Sequence, residues 1–162
     1  HLIITDLKLK KTHALALEYG AKEIKPEDFY DVECDILAPC ALGGVLNPDT
    51  IPKLKCKAIA GAANNQLLTE EDGRRLMERS ILYAPDFIAN AGGIINASAE
   101  FEPEGYNPIK SLDKVNKIYD MLLEIFEKSE ISRKPTNLIA DELAEYKLIN
   151  KIGKRTTPIQ FS

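Results

Sequence analysis

The order of residue types along this chain predicts an α/β protein, a doubly wound parallel sheet with helices added at the C-terminal end. Three observations support that class. Short runs of large apolar and β-branched residues alternate with segments of helical periodicity, an order that implies parallel strands joined by right-handed crossovers. The strand-like runs are nearly continuous in hydrophobicity, as expected where both faces of a sheet are covered. Each run ends in an acid, a proline or a cluster of glycine and asparagine, which are the residues that stop strands and open loops.

Leu2-Ile3-Ile4-Thr5-Asp6 reads as a buried parallel strand with Asp6 at its carboxyl end. A helix is expected over 10–19, with Ala14, Leu15 and Leu17 apolar and Gly20 as its stop. Residues 21–24 suggest a short strand, and Pro26 opens a helical turn that reaches Tyr30. The next buried strand covers 34–40, where Pro39 terminates it, and Ala41-Leu42-Gly43-Gly44 follows as a loop of close approach. After a short helix over 50–54, residues 57–61 form another strand that leads straight into Ala62-Ala63-Asn64-Asn65-Gln66. Thr69 with Glu70, Glu71 and Asp72 marks a capped, acid-rich helix start, and that helix runs through Leu76 and Met77 towards Ser80. Residues 81–84 are a strand ended by Pro85. Two amphipathic helices close the chain, over 111–128 with Leu112, Val115, Ile118, Leu122 and Ile125 on one stripe, and over 136–148. The whole reads as one domain: the sheet part over 1–110, helices over 111–150 packing on it, and a tail over 151–162 in which Lys154 to Pro158 lie at the surface.

Between the last strand and those helices, the stretch APDFIANAGGIINASAE (84–100) sets Asn90, Gly92, Gly93 and Asn96 into an otherwise apolar helical run. Two adjacent glycines in a helix cost about 1 kcal/mol each relative to alanine, so stability alone does not account for them. Two readings stay open: room cleared for a ligand or a second backbone, with the Asn90 amide able to donate and accept at once, or a kinked helix packed tightly on the sheet.

At 162 residues the chain can bury a sizeable core, and 44% hydrophobic with 28% charged residues is an ordinary globular composition. A formal net charge of −4 supplies no basic field for nucleic acid. The apolar runs are too short to cross a bilayer and no secretory signal is visible, so no membrane association is expected. Cys34, Cys40 and Cys56 make neither a paired motif nor a metal pattern, which favours small core residues in a reducing, cytoplasmic compartment. The chain opens at His1 in a strand pattern, and residues upstream of it are expected.

In open α/β sheets ligands bind beyond the carboxyl ends of the strands. Asp6, the loop Ala41 to Gly44, Asn64 and Asn65 each follow an expected strand, so they share that edge and suggest a binding crevice. Singly each has a plainer reading: Asp6 could cap the next helix, and Asn64-Asn65 could form a turn.

Three segments, CDILAPCALGGVLN, AIAGAANNQL and YAPDFIANAGGIINASAE, resemble the nicotinamide-dependent amino acid dehydrogenases that act on glutamate, leucine, phenylalanine or valine, the leucine enzymes most of all. The resemblance covers roughly residues 2–148 and is to the C-terminal part of such enzymes. It implies a Rossmann-like sheet lacking its first strand and glycine-rich phosphate loop. The implied activity is oxidative deamination of an L-amino acid, a branched-chain one above all, to a 2-oxo acid and ammonia with NAD as hydride acceptor. Matching positions suggest Asp6 for the adenosine ribose, Ala41 and Leu42 beside the cofactor, Asn64 as a further cofactor-binding residue, and Asn65 near the nicotinamide ribose. Asn65 would also adjoin the substrate, Asn90 would hold the carboxamide, and Ile94 and Ala97 would line the side-chain pocket. Ala97 stands where leucine-specific relatives usually have valine, a difference worth about 1–3 kcal/mol at most in discrimination. An acid at position 6 favours NAD, because it would repel the 2′-phosphate of NADP. The apolar Ile94 and Ala97 suit an acidic substrate poorly.

The departure from the family is that the substrate domain, with its catalytic lysine and aspartate, is missing. No residue here is assigned as a catalytic base, His1 and His13 included, and no metal ligands are expected. A homo-oligomer is implied. The competing reading is a non-catalytic interaction module that keeps the scaffold without the cofactor.

Overall fold

The computed structural model describes residues 1–150, and the expected tail over 151–162 lies outside them. The chain divides into two compact units, the first over His1–Tyr83 and the second from Ala84 onward.

In the first unit, strand β1 (Ile3–Ile4) is followed by helix α1 (Leu9–Tyr19) and by strand β2 (Lys22–Glu23), which pairs with β1 in parallel. Strands β3 (Ile36–Leu37), β4 (Ala58–Ile59) and β5 (Leu82–Tyr83) form a second parallel sheet in the order β3-β4-β5. Helix α2 (Glu70–Glu78) connects β4 to β5. A doubly wound sheet runs 3-2-1-4-5-6, and taking out its innermost strand leaves a parallel pair and a parallel trio. That is the arrangement present, with β1 and β3 as the strands that would flank the missing one. The chain is thus a Rossmann-like sheet without its first strand.

Several local expectations hold for the reasons they were drawn. Gly20 ends α1 at φ 62°, in the left-handed region that releases the chain from a helix. Pro26 opens a 3₁₀ turn over Pro26–Asp28, and another occupies Ile51–Lys53. Thr69 and Asp72 form a reciprocal capping box at the start of α2.

Burial departs from the expectation of strands covered on both faces. Leu37, Ile59 and Tyr83 are buried, whereas Ile36 and Leu82 on the alternate positions are exposed. Lys22 and Glu23 are exposed as well. In α1 the buried residues are Thr12 and Ala16, and the expected Leu15 and Leu17 face outward. The core of this unit gathers Leu37, Leu46, Ile51, Leu54, Cys56, Ile59, Leu76, Ile81 and Tyr83. Arg79 braces it from α2's end, donating to the carbonyls of Ile51 and Leu54, so one guanidinium satisfies the exposed carbonyl end of the 51–53 turn.

In the second unit the glycine-containing helical run that follows Pro85 is broken into α3 (Asp86–Ala89) and α4 (Gly92–Ser98), the interruption that the kinked-helix reading allowed for. Asn90 caps the end of α3 at φ −98°, ψ 7°, which interrupts the helical hydrogen-bond ladder before the two glycines. Neither glycine is required for room within the chain. A β-carbon on Gly93 would meet nothing within 4 Å, and one on Gly92 would make an ordinary 3.8 Å contact with Val115.

Helix α5 (Pro108–Ser132) starts earlier and runs further than expected, because Asn107 accepts from the amides of Ile109 and Lys110 and Pro108 sits at the first position. Helix α6 (Thr136–Asn150) packs on it around Ile125, Ile139 and Ala140. Leu112 was expected on the buried stripe, yet it is 59% exposed, while the buried position one residue earlier is taken by Ser111. No helix among the described residues is long and apolar enough to cross a membrane.

Candidate functional site

The loops that leave the carboxyl ends of β1, β3 and β4 carry the sequence-derived candidates of the first unit. At the end of β1, one oxygen of Asp6 accepts from the amide of Lys8 at 2.8 Å, which shapes the entry to α1. That bond closes a local turn ahead of α1, whose N-cap residue is Lys8 with no side-chain cap, and it occupies only Oδ1 of Asp6. Asp6 borders a cleft of about 430 Å³ that Leu2, Thr5, Lys8, Lys11 and Leu15 also line. Thr5 is one of the lining residues, and its hydroxyl is buried with no hydrogen-bond partner. A buried hydroxyl without a partner is uncommon.

The loops after β3 and β4 lie against each other. Pro39 and Gly61, at the ends of those strands, touch backbone to backbone: a β-carbon on Gly61 would fall 2.6 Å from the nitrogen of Pro39 and 2.7 Å from its carbonyl carbon. The amide of Ala63 donates to the carbonyl of Pro39 at 3.0 Å. Further out, the amide of Gly44 donates to the carbonyl of Asn65 at 2.7 Å, and that of Leu46 to Gln66 at 2.9 Å. Leu46 and Leu67 complete a parallel bridge, so the two loops form a short ladder beyond the sheet proper. Asn65 is held at φ 53°, a left-handed conformation that asparagine tolerates better than most residues. Ala41, Leu42, Asn64 and Asn65 are exposed on this rim.

Two residues that sequence reasoning left without a role build the rim. Gln66 is fully buried, and its Nε2 donates to the carbonyls of Gly61 at 2.9 Å and Ala63 at 3.0 Å, tying the turn to itself. Cys40 receives the amide of Ala62 on its sulfur at 3.5 Å. Cys40 is exposed, which corrects the expectation of three core cysteines; Cys56 is buried as expected, and Cys34 is only half-buried at the margin of the core. Burial raises the Cys56 thiol, with a smaller contribution from Cys34, and burial with the neighbouring Asp35 charge raises that of Cys34. A neutral-pH disulfide reagent is therefore expected to titrate Cys40 first, with Cys34 and Cys56 reacting only slowly until the chain is unfolded. Equal rates for all three would contradict the packing.

In the second unit, Asn90 sits half-buried at the junction of α3 and α4, with its backbone N–H donating to the carbonyl of Asp86 at 2.8 Å. Ile94 and Ala97 are exposed on α4, one helical turn apart and on the same side. Asn96, between them in sequence, accepts from Tyr106 Oη at 2.9 Å and from the buried Ser111 Oγ at 3.0 Å, so α4 is tied to the start of α5. Among the described residues no group of three histidine, cysteine or carboxylate side chains could hold a metal ion.

Residues 3–133 match the sequence model of the Glutamate/Leucine/Phenylalanine/Valine dehydrogenase family. The chain belongs to that family. It is 45% identical to a leucine dehydrogenase from Thermoactinomyces intermedius over 98% of its own length and 43% of that enzyme's. It is 48% identical to a phenylalanine dehydrogenase from Bacillus thermotolerans over 78% of its length and 32% of that enzyme's. The crystal structure of an L-tryptophan dehydrogenase from Nostoc punctiforme superimposes with a TM-score of 0.88 at 42% identity, covering 93% of this chain and 46% of that one. The chain therefore spans less than half the length of these dehydrogenases. Within the dehydrogenase family, the rim built by the 41–46 and 61–68 loops is the part of this chain where strand ends present polar groups side by side.

Proposed function

We propose that this chain is the cofactor-holding part of an NAD-dependent dehydrogenase that oxidatively deaminates an L-amino acid, leucine or another branched-chain one, to its 2-oxo acid and ammonia. The observation that carries this reading is membership of the dehydrogenase family together with identities above 40% to enzymes named for leucine, tryptophan and phenylalanine. Bound NAD would supply the hydride acceptor, and what these residues contribute is placement. Asp6 retains a carboxylate oxygen with which to accept from a ribose hydroxyl and borders a cleft. Ala41, Leu42 and Asn64 would lie beside the cofactor, and Asn65 at the nicotinamide ribose and the substrate. In the second unit Asn90 would hold the carboxamide, whose donor and acceptor match the asparagine amide. Ile94 and Ala97 would set the size of the side-chain pocket. Orientation of this sort can account for a large part of a rate enhancement without any group here serving as acid or base.

The general base, the phosphate-binding turn and the substrate domain would lie in the remainder of the gene product, which would assemble as a homo-oligomer. The decisive experiment measures NADH binding by fluorescence and turnover of an amino acid panel with the complete gene product. Asn90→Ala is expected to weaken NADH binding about 5- to 30-fold, the range for one or two lost hydrogen bonds. NADH should also slow the labelling of Cys40, which adjoins Ala41. If the complete product neither binds NADH nor oxidises any amino acid, the dehydrogenase reading falls and a non-catalytic module takes its place.

A further inference from the structure

We propose that Gly43 is a positioning residue for Asn65. A β-carbon at Gly43 would stand 2.8 Å from the carbonyl oxygen of Asn64 and 2.9 Å from that of Asn65, both backbone atoms that cannot swing aside. Gly43 therefore lets the 41–46 loop seat directly on the 64–65 backbone. The next residue, Gly44, adopts φ 68° and aims its amide at the Asn65 carbonyl at 2.7 Å. Leu46 then continues the contact as a donor to Gln66 and an acceptor from Leu68. Asn65 is thus gripped through its carbonyl while its backbone sits at φ 53°, and where its amide is presented is set by the opposing loop. The consequence for catalysis rests on the reading of Asn65 as a neighbour of nicotinamide ribose and substrate; the clasp itself does not.

The test uses the complete gene product carrying Gly43→Ala, Asn65→Ala and both changes, with turnover, NADH affinity, thermal midpoint and amide hydrogen exchange as readouts. Gly43→Ala is expected to lower kcat by roughly 10- to 100-fold, the penalty for a displacement of about 1 Å in a positioning group. Because both changes act through one side chain, the double variant should be no slower than the slower single variant. Multiplicative losses would overturn the proposal and leave Gly43 a purely structural residue. Exchange separates the clasp from the function: the amides of Gly44 and Leu46 should be protected in the native chain and lose protection in Gly43→Ala. Should the wild-type product show no dehydrogenase activity, the functional reading fails while the exchange result still decides the clasp. If Gly43→Ala does not fold, rapid exchange at Gly44 and Leu46 in the wild type overturns the proposal, and slow exchange supports it.

Discussion

Replacing Gly61 by alanine is expected to destabilise the first unit by about 3 kcal/mol or more, at the upper end of overpacking costs. The added methyl group would lie within 2.6 Å of the Pro39 nitrogen and 2.7 Å of its carbonyl carbon, and nearer still to its carbonyl oxygen. Pro39 is buried, and its carbonyl already accepts from Ala63, so neither strand end can retreat without breaking that bond. The loss should also reach the rim, because Pro39 and Gly61 are the roots of the two loops that present Ala41, Leu42, Asn64 and Asn65. Denaturant unfolding followed by circular dichroism checks the prediction. Gly93→Ala is the internal comparison: with nothing within 4 Å and helical backbone around it, that change should gain up to about 1 kcal/mol. Equal effects at the two glycines would show that the approach of Pro39 to Gly61 is not tight in solution.

Asp72→Ala is expected to cost about 2–3 kcal/mol, because removing one partner of a buried network leaves the others without theirs. The carboxylate is fully buried at the start of α2 and accepts three hydrogen bonds of 2.8 Å, from the Thr69 amide, the Thr69 hydroxyl and Arg75. Alanine removes the cap and strands the Thr69 amide. Arg75 is partly exposed and regains water, which keeps the loss below that of a fully buried ion pair. Asp72→Asn, whose amide oxygen can take the place of Oδ2 and still accept from the Thr69 amide and hydroxyl, should recover half or more. A shift in denaturation midpoint with an unchanged slope would confirm a local loss of stability. By contrast the Lys57–Asp35 pair is fully exposed; Lys57, by hydrogen bond and charge, holds the Asp35 carboxyl below its ordinary value, and its loss should go almost unnoticed.

Much of the architecture was legible because its causes are local. Gly20, Pro26 and the Thr69–Asp72 box act within a few residues of themselves, and each marks its element where expected. Pairing of short apolar runs into parallel strands followed from their alternation with helices. Asp6 and Asn65 could be singled out because each follows an expected strand and so falls at one edge of the sheet, although each also serves a local turn. A kink in the run after Pro85 was among the open readings, but its place at Asn90 was not legible, since the apolar periodicity continues through it and only backbone geometry interrupts the ladder. Exposure of Ile36, Leu15 and Leu17 was equally hidden, for a sequence shows which residues are apolar and not which neighbours are there to cover them.

The sequence by itself therefore determined the class of fold, the order of its elements, the family and the residues that follow each strand. Only tertiary structure decided how those residues meet. Gly43 and Gly61 read as loop and strand-end glycines, and what makes each one necessary is a backbone more than twenty positions away. Gln66 reads as one more polar loop residue until its burial against Gly61 and Ala63 appears. The physical reason is the same in each case: hydrogen bonds and close packing between distant segments depend on distances in space, and no local pattern of residue types encodes them.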